Sequence, residues 1–330
     1  MDPSAVTIST ASPAVQAESP PALRRFAWGV LAYNVAVIVW GSAVRATGSG
    51  AGCGDHWPLC NGTVVQHHPA VATMIEFAHR ATSGIDLLCV LALVAWTFAA
   101  TPHRHCARGW SVAVLVLTLN EALLGALLVL LGHTAHDTSP SRGVYLGLHL
   151  TNTLLLLAAL AMTAHFLSRR AANVRGEVAV RAPGLALTGL GATLVVGVTG
   201  SLAALGDTLY PAHHLLAGIA EDFSPGSSWL LRIRWVHPAI SLIAGAFIAW
   251  LIVRTWRRAD GVRSRPLALG VVLLLGLQYV LGVADVALLA PTWMQMTHLL
   301  GADLLWIALV VLCARVCLVA RTVTERSRDA

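Results

Sequence analysis

Lysine is absent from this 330-residue chain: all 22 of its Lys+Arg positions are arginine. Charge of either sign is scarce, at 12% of residues, where soluble domains carry about 25%. That shortage, with 56% hydrophobic residues and a mean hydropathy of +0.70, excludes a water-soluble globule. The six cysteines contain no Cys-x-x-Cys pair, which argues against a structural zinc site. Without lysine there is no Gly-Lys-Ser/Thr, so the glycine-rich stretch at 48–54 is not a phosphate loop. A net charge of +6 could suit nucleic acid, but the arginines sit in short clusters between long apolar runs. That is the pattern of membrane topology, and it excludes nucleic acid as the partner.

Eight apolar runs are present, at roughly 24–45, 72–100, 109–131, 143–167, 184–204, 229–253, 266–289 and 293–319. Each reaches the about 20 residues that a membrane-spanning helix needs. None shows the alternation of a barrel strand. The fold expected is an all-α integral membrane protein. Residues 1–22, rich in Ser, Ala and Pro, are expected to form a disordered tail, with no signal peptide. Arginines flank the runs on one side: Arg24 and Arg25, Arg104 and Arg108, Arg169 to Arg181, Arg254 to Arg265, and Arg321 to Arg328. The opposite loops hold Asp55, Asp137, Asp207, Glu221 and Asp222. The positive-inside rule then puts both termini in the cytoplasm of a multi-pass cell-membrane protein.

The two halves of the chain repeat. Gly41-Ser42 matches Gly200-Ser201, His79-x-Ala81-x-Ser83 matches His237-x-Ala239-x-Ser241, Leu124-Gly125 matches Leu281-Gly282, and His149-Leu150 matches His298-Leu299. Two pseudo-symmetric four-helix bundles follow, at 23–168 and 184–320, joined by a cytoplasmic linker at 169–183 and followed by a tail at 321–330.

Most of the 14 histidines fall in loops, where the plain reading is a solvated polar residue; His165 ends the fourth run as an interface residue. Four lie inside helices: His79, His149, His237 and His298. Each sits six to nine residues past its helix start on a helix running inward, roughly 9–13 Å below the outer surface. Ionisable groups at that depth are costly and mark function. Cross-helix hydrogen bonding and a proton relay are the competing readings. Paired axial ligation of haem iron fits better than zinc or a di-iron site, because no carboxylate or Cys shares the histidine layer of the second bundle and only Glu76-x-x-His79 has the Glu-x-x-His spacing of a di-iron bundle. Three residues before His79 stands Glu76, and three before His237 stands Arg234. An arginine there can pair with a haem propionate, whereas a glutamate repels it. The second bundle therefore reads as a permanent holder and the first as the place of chemistry. The plain alternative for Glu76 is an i,i+4 ion pair with Arg80.

The first outer loop, Arg45 to Gly62, carries Cys53 and Cys60 on the oxidising side. Their spacing allows a disulfide, with two independent thiols as the alternative. Cys89, Cys106, Cys313 and Cys317 read as small packing residues.

The stretch Gly41-Ser42-Ala43-Val44-Arg45-Ala46-Thr47-Gly48-Ser49-Gly50, the loop Cys53…Trp57-Pro58-Leu59-Cys60-Asn61-Gly62, Glu76-x-x-His79-Arg80 and the other three histidines together resemble the haem A synthase family, over about residues 24–320. The resemblance implies an oxidoreductase that converts the C8 methyl of haem O into the formyl group of haem A for aa3-type cytochrome oxidase, through a hydroxylated haem and with water as oxygen source. It implies haem b on His237 and His298, substrate haem O at His79 and His149, an essential role for Glu76, and a role in activity for Cys53 and Cys60. It also implies haem O synthase as donor, membrane lipid as surroundings and an electron acceptor that the residues do not name. The sequence departs from the family in carrying His56 within the cysteine loop and no second cysteine pair in the long outer loop at about 205–228. A quinol-linked dihaem b-type electron carrier is the alternative. It calls for haems stacked across both leaflets, whereas the four histidines share one depth. A histidine-relay transporter is a third reading.

Overall fold

A computed structural model describes residues 19–64, 66, 68–135, 137–169, 178–180, 183–257 and 264–320. Of the expected tail at 1–22, residues 1–18 lie outside the described residues, as do the tail at 321–330 and the loop histidines His67 and His136, while Pro21 and Ala22 are already helical, because proline is favoured in a first helical turn. Most of the linker arginines, Arg170, Arg175, Arg181, Arg258 and Arg263, fall outside them too. The long helices are α1 (Pro21–Ala46), α2 (Val71–Ala100), α3 (Cys106–Leu130), α4 (Pro140–Ser168), α5 (Pro183–Leu209), α7 (Trp229–Trp256), α8 (Arg265–Ala287) and α9 (Thr292–Cys317). All eight are long and apolar enough to cross a membrane. The protein is an all-α multi-pass membrane protein.

Helix starts follow from the sequence. Proline enters at the first turns of α1, α4 and α8, where a missing N–H costs nothing. Ser139 and Ser228 cap α4 and α7 with their hydroxyls. His105 behaves differently from a solvated loop histidine. It is buried, and its Nδ1 accepts from the Ala107 N–H at 3.1 Å, capping α3. His165 is buried as well, at 6% exposure, so it packs inside the protein and does not face the interface.

Helices α1–α4 pack around one another, and so do α5, α7, α8 and α9. The halves meet where α4 and α1 contact α5 and α9. This seam holds the main core: Leu23, Leu31, Leu157, Leu160, Leu167, Trp306 and Val310 are all nearly or fully buried. Trp306 donates its indole N–H to the Leu154 carbonyl at 2.7 Å, tying α9 to α4. Near the other end, Arg45 of α1 donates to the Ala204 carbonyl at 2.7 Å, to Thr208 at 2.9 Å and to Gln295 at 3.0 Å. One guanidinium thus joins α1 to α5 and α9.

Three features are not anticipated by the apolar runs. The second long outer loop contains a short helix, α6 (Leu215–Asp222). Asp207, expected in that loop, lies in the last turn of α5. Two three-residue strands, β1 (Val178–Val180) and β2 (Leu318–Ala320), pair antiparallel and tie the linker to the end of α9.

Candidate functional site

Each of the four helix histidines faces a glycine of the neighbouring helix. A methyl group built on Gly41 of α1 would stand 2.9 Å from His79 Cε1, and one on Gly200 of α5 would stand 2.8 Å from His237 Cε1. Gly125 of α3 and Gly282 of α8 take the same place beside His149 and His298, at 3.8 and 3.4 Å. The repeated Gly-Ser and Leu-Gly pairs therefore have one physical purpose: they make room for an imidazole between two helices. Any side chain at Gly41 or Gly200 would push the ring aside.

The pairs meet within their own bundle. His237 of α7 and His298 of α9 stand with ring centroids 6.5 Å apart and planes at 81°. An imidazole–metal distance of about 2.0–2.1 Å on each side sets two such centroids roughly 6–6.5 Å apart. His79 of α2 and His149 of α4 lie within electrostatic reach of each other, and both Nδ1 atoms are buried without a hydrogen bond. Thr199 Oγ1 lies 3.4 Å from His237 Nδ1. No three His, Cys, Asp or Glu converge as a metal-binding set among the described residues. In the second bundle the spacing of the two opposed imidazoles fits the two axial positions of a haem iron, and the first bundle repeats the two histidines beside the matching glycines.

Cys53 and Cys60 form a disulfide, with Cα atoms 4.4 Å apart and both residues buried. The loop they close is fastened to α2. Glu76, 4% exposed, accepts the Cys53 N–H at 2.8 Å on one oxygen and the Arg80 guanidinium at 2.6 Å on the other. Arg80 reaches on to the carbonyls of His56 at 2.7 Å and Leu59 at 2.9 Å. Thr73 donates to the Gly52 carbonyl at 2.7 Å. Gly52 is needed for this approach, because a Cβ there would lie 2.5 Å from the Ala72 backbone. The Glu76–Arg80 pair legible from the i,i+4 spacing is thus present, and it clamps the disulfide loop over the first bundle. In the repeat, Glu76 becomes Arg234 and Arg80 becomes Pro238, and the second half has no cysteine loop to hold.

Arg234 is held by α5 and α6. It pairs with Asp207 at 2.9 Å and Asp222 at 3.1 Å and donates to the Gly206 carbonyl at 2.8 Å. Burial pushes the Asp222 carboxyl up from its ordinary range, and Arg234 opposes that rise. A propionate drawn to Arg234 would share the guanidinium with these two carboxylates.

One residue of the first site escapes the sequence reading. Glu121 of α3 accepts from Asn152 and Thr153 of α4 and stands 3.5 Å from His149 Nδ1. A glutamate three residues before the Leu124-Gly125 repeat element, inside a membrane span, is the signal that could have found it.

A family model described as "Cytochrome oxidase assembly protein" (COX15-CtaA) matches residues 24–310. A "Protoheme IX farnesyltransferase" of Thermus thermophilus is 45% identical over 292 residues, which is 88% of this chain and 48% of that protein. A "Heme A synthase" of Geobacillus kaustophilus is 27% identical over 249 residues, 74% of each chain. Another "Heme A synthase", from an Exiguobacterium species, is 41% identical over 90 residues, 27% of this chain and 30% of that protein. The chain spans about half the length of the Thermus relatives it matches.

Proposed function

The chain belongs to the COX15-CtaA family of cytochrome oxidase assembly proteins, and on that premise we propose that it oxidises the C8 methyl of haem O to the formyl group of haem A. The observation that carries this reading is the histidine pair, each ring beside a glycine, repeated in the two bundles and opposed in the second, with a clamped disulfide loop over only the first. Two haem sites of unequal surroundings suit a substrate site and a resident cofactor site.

In this reading His79 and His149 bind substrate haem O, and His237 and His298 hold haem b. Haem b, when bound, supplies one-electron redox chemistry beside the substrate site. The methyl carbon takes oxygen from water, passes the hydroxylated level and becomes the aldehyde. That conversion releases four electrons and four protons to an acceptor. The protein's own part is to fix the substrate between two helices and to exclude bulk water with the Cys53–Cys60 loop. Glu76 and Arg80 hold that loop in place, which puts the Glu76 carboxylate at the rim of the substrate site. Arg234 stands at the rim of the other site, where a propionate would join its ion pairs. The Thermus relative, about twice as long, is named for farnesyl transfer to protohaem IX, the chemistry that makes haem O. We therefore propose a haem O synthase as the donor. Pigments extracted from cells with and without the gene test the activity. Haem A should appear only with the gene, and equal haem A in both would refute the proposal.

The arginine-rich ends are proposed to face the cytoplasm with both termini, and the histidine layer to lie toward the outer face. Single cysteines introduced near Ser139 and Ser227 should then be labelled from outside intact cells. A cysteine near Ser264 should require permeabilisation. The reverse pattern would overturn the orientation.

A further inference from the structure

The two halves differ in what stands behind their α4 and α9 histidines. Aligning Leu124-Gly125 with Leu281-Gly282 pairs Glu121 with Gln278, and aligning His149 with His298 pairs Asn152 and Thr153 with Gly301 and Ala302. Glu121 and Gln278 each stand beside the histidine of their own half. Glu121 Oε1 lies 3.5 Å from His149 Nδ1. In one of its two orientations the Gln278 amide places its nitrogen 3.3 Å from His298 Nδ1 and its oxygen 3.2 Å from the Ala302 N–H; turned over, the two ends exchange and the oxygen faces the ring.

The substitutions come as a set. In the first half, Asn152 and Thr153, both buried, point donors at the carboxylate, and Asn120 holds Asn152 at 2.8 Å. In the second half the space is closed to such a donor. A Cβ on Gly301 would stand 2.2 Å from the end of the Gln278 amide, so the glycine gives the amide its room beside His298. A carboxylate inside a membrane span needs those donors, and a neutral amide does not.

The chemistry of the two groups differs at one atom. A carboxylate only accepts a hydrogen bond, so it selects the tautomer with hydrogen on Nδ1 and leaves Nε2 bare. An amide can turn either end to the ring and selects neither. A carboxylate acceptor also makes the imidazole a stronger donor to a metal on its far side. We propose that Glu121 is the positioning residue of the first site: it fixes His149 with Nε2 toward the iron and makes this ligand more electron-donating than His298, which Gln278 holds without charge. The His149 Nδ1, buried and without a hydrogen bond, is the atom that the carboxylate closes on; such contacts tighten when a site fills. The substrate haem is thereby biased toward its ferric form relative to the haem on His237 and His298.

This inference rests on the proposed binding of substrate haem by His149, and the test separates the two. Full-length protein carrying its resident haem is titrated with ferric protohaem IX, and the midpoint potential and affinity of the added haem are measured. Glu121→Gln, which copies the second half, should raise the ferrous-over-ferric ratio about tenfold, near 59 mV for one electron. It should also weaken binding of the added haem by about tenfold, the low end for a lost outer partner. The reciprocal Gln278→Glu should shift the resident haem the opposite way. Should the wild-type protein fail to take up protohaem, or bind it unchanged after His149→Ala, the site reading falls and the inference with it. Binding that requires His149, with Glu121→Gln inside twofold of wild type in both potential and affinity, overturns the inference alone.

Discussion

On the proposed haem assignment, replacing His237 or His298 with alanine is expected to strip the b-type haem, while replacing His79 or His149 should leave that haem in place and stop haem A formation. The reason is geometric. The His237 and His298 rings oppose each other at 6.5 Å, so in the proposed site each takes one face, and no third His, Cys, Asp or Glu joins them among the described residues. Removing an outer-shell partner already costs about 10–100-fold in affinity, and loss of an axial ligand costs more. The first pair sits in the other bundle, behind its own glycines and beneath the clamped loop. Truncating it leaves α5, α7, α8 and α9 untouched. The readout is extracted haem per chain and the reduced-minus-oxidised visible spectrum of purified variants, with haem A measured in the same cells. Loss of all bound haem from His79→Ala or His149→Ala, with haem retained in His237→Ala, would invert the two roles.

The membrane spans and the paired histidines are legible in the sequence for physical reasons. A 20-residue apolar run has few stable fates other than a transmembrane helix, and an imidazole within one is costly without a task. The repeat adds that Gly41, Gly125, Gly200 and Gly282 belong with the histidines, and the structure gives the contact that explains it. Helix ends are less legible. The apolar run that stops near 204 continues as helix to Leu209, because Asp207 finds Arg234 and can stay in the last turn. The β1–β2 pair joins segments about 140 residues apart and three residues long, too short for any periodicity. Glu121 illustrates the harder case. Its partners Asn152, Thr153 and His149 lie on the next helix, so nothing near it in sequence distinguishes it from a lone acid in an apolar run. Arg80 is similar: its spacing from Glu76 is visible, but its bonds to the carbonyls of His56 and Leu59 exist only once the loop has folded back on α2.

Glu76→Gln is expected to keep the fold and the resident haem and to lower haem A output by at least about 10–100-fold, with haem O accumulating, as for other losses beside a metal site. The amide matches the carboxylate in size but has one acceptor oxygen. If that oxygen keeps the Cys53 N–H, the amide nitrogen meets the Arg80 guanidinium, donor against donor; if it turns to Arg80, the Cys53 N–H loses its partner. Either choice gives up a charge-assisted hydrogen bond of about 1.5–3 kcal/mol. Much of that loss falls on the loop, since Arg80 keeps the loop carbonyls and the helices keep their core. Faster hydrogen exchange at the Cys53 amide should accompany the lost conversion. Arg80→Gln breaks the same clamp from the other side and should lower output alongside it. Near-normal haem A from haem-loaded Glu76→Gln would remove Glu76 from the function altogether. An inactive Glu76→Gln beside a fully active Arg80→Gln would instead assign the carboxylate to the reacting methyl group, because the clamp would then be dispensable and the charge would not.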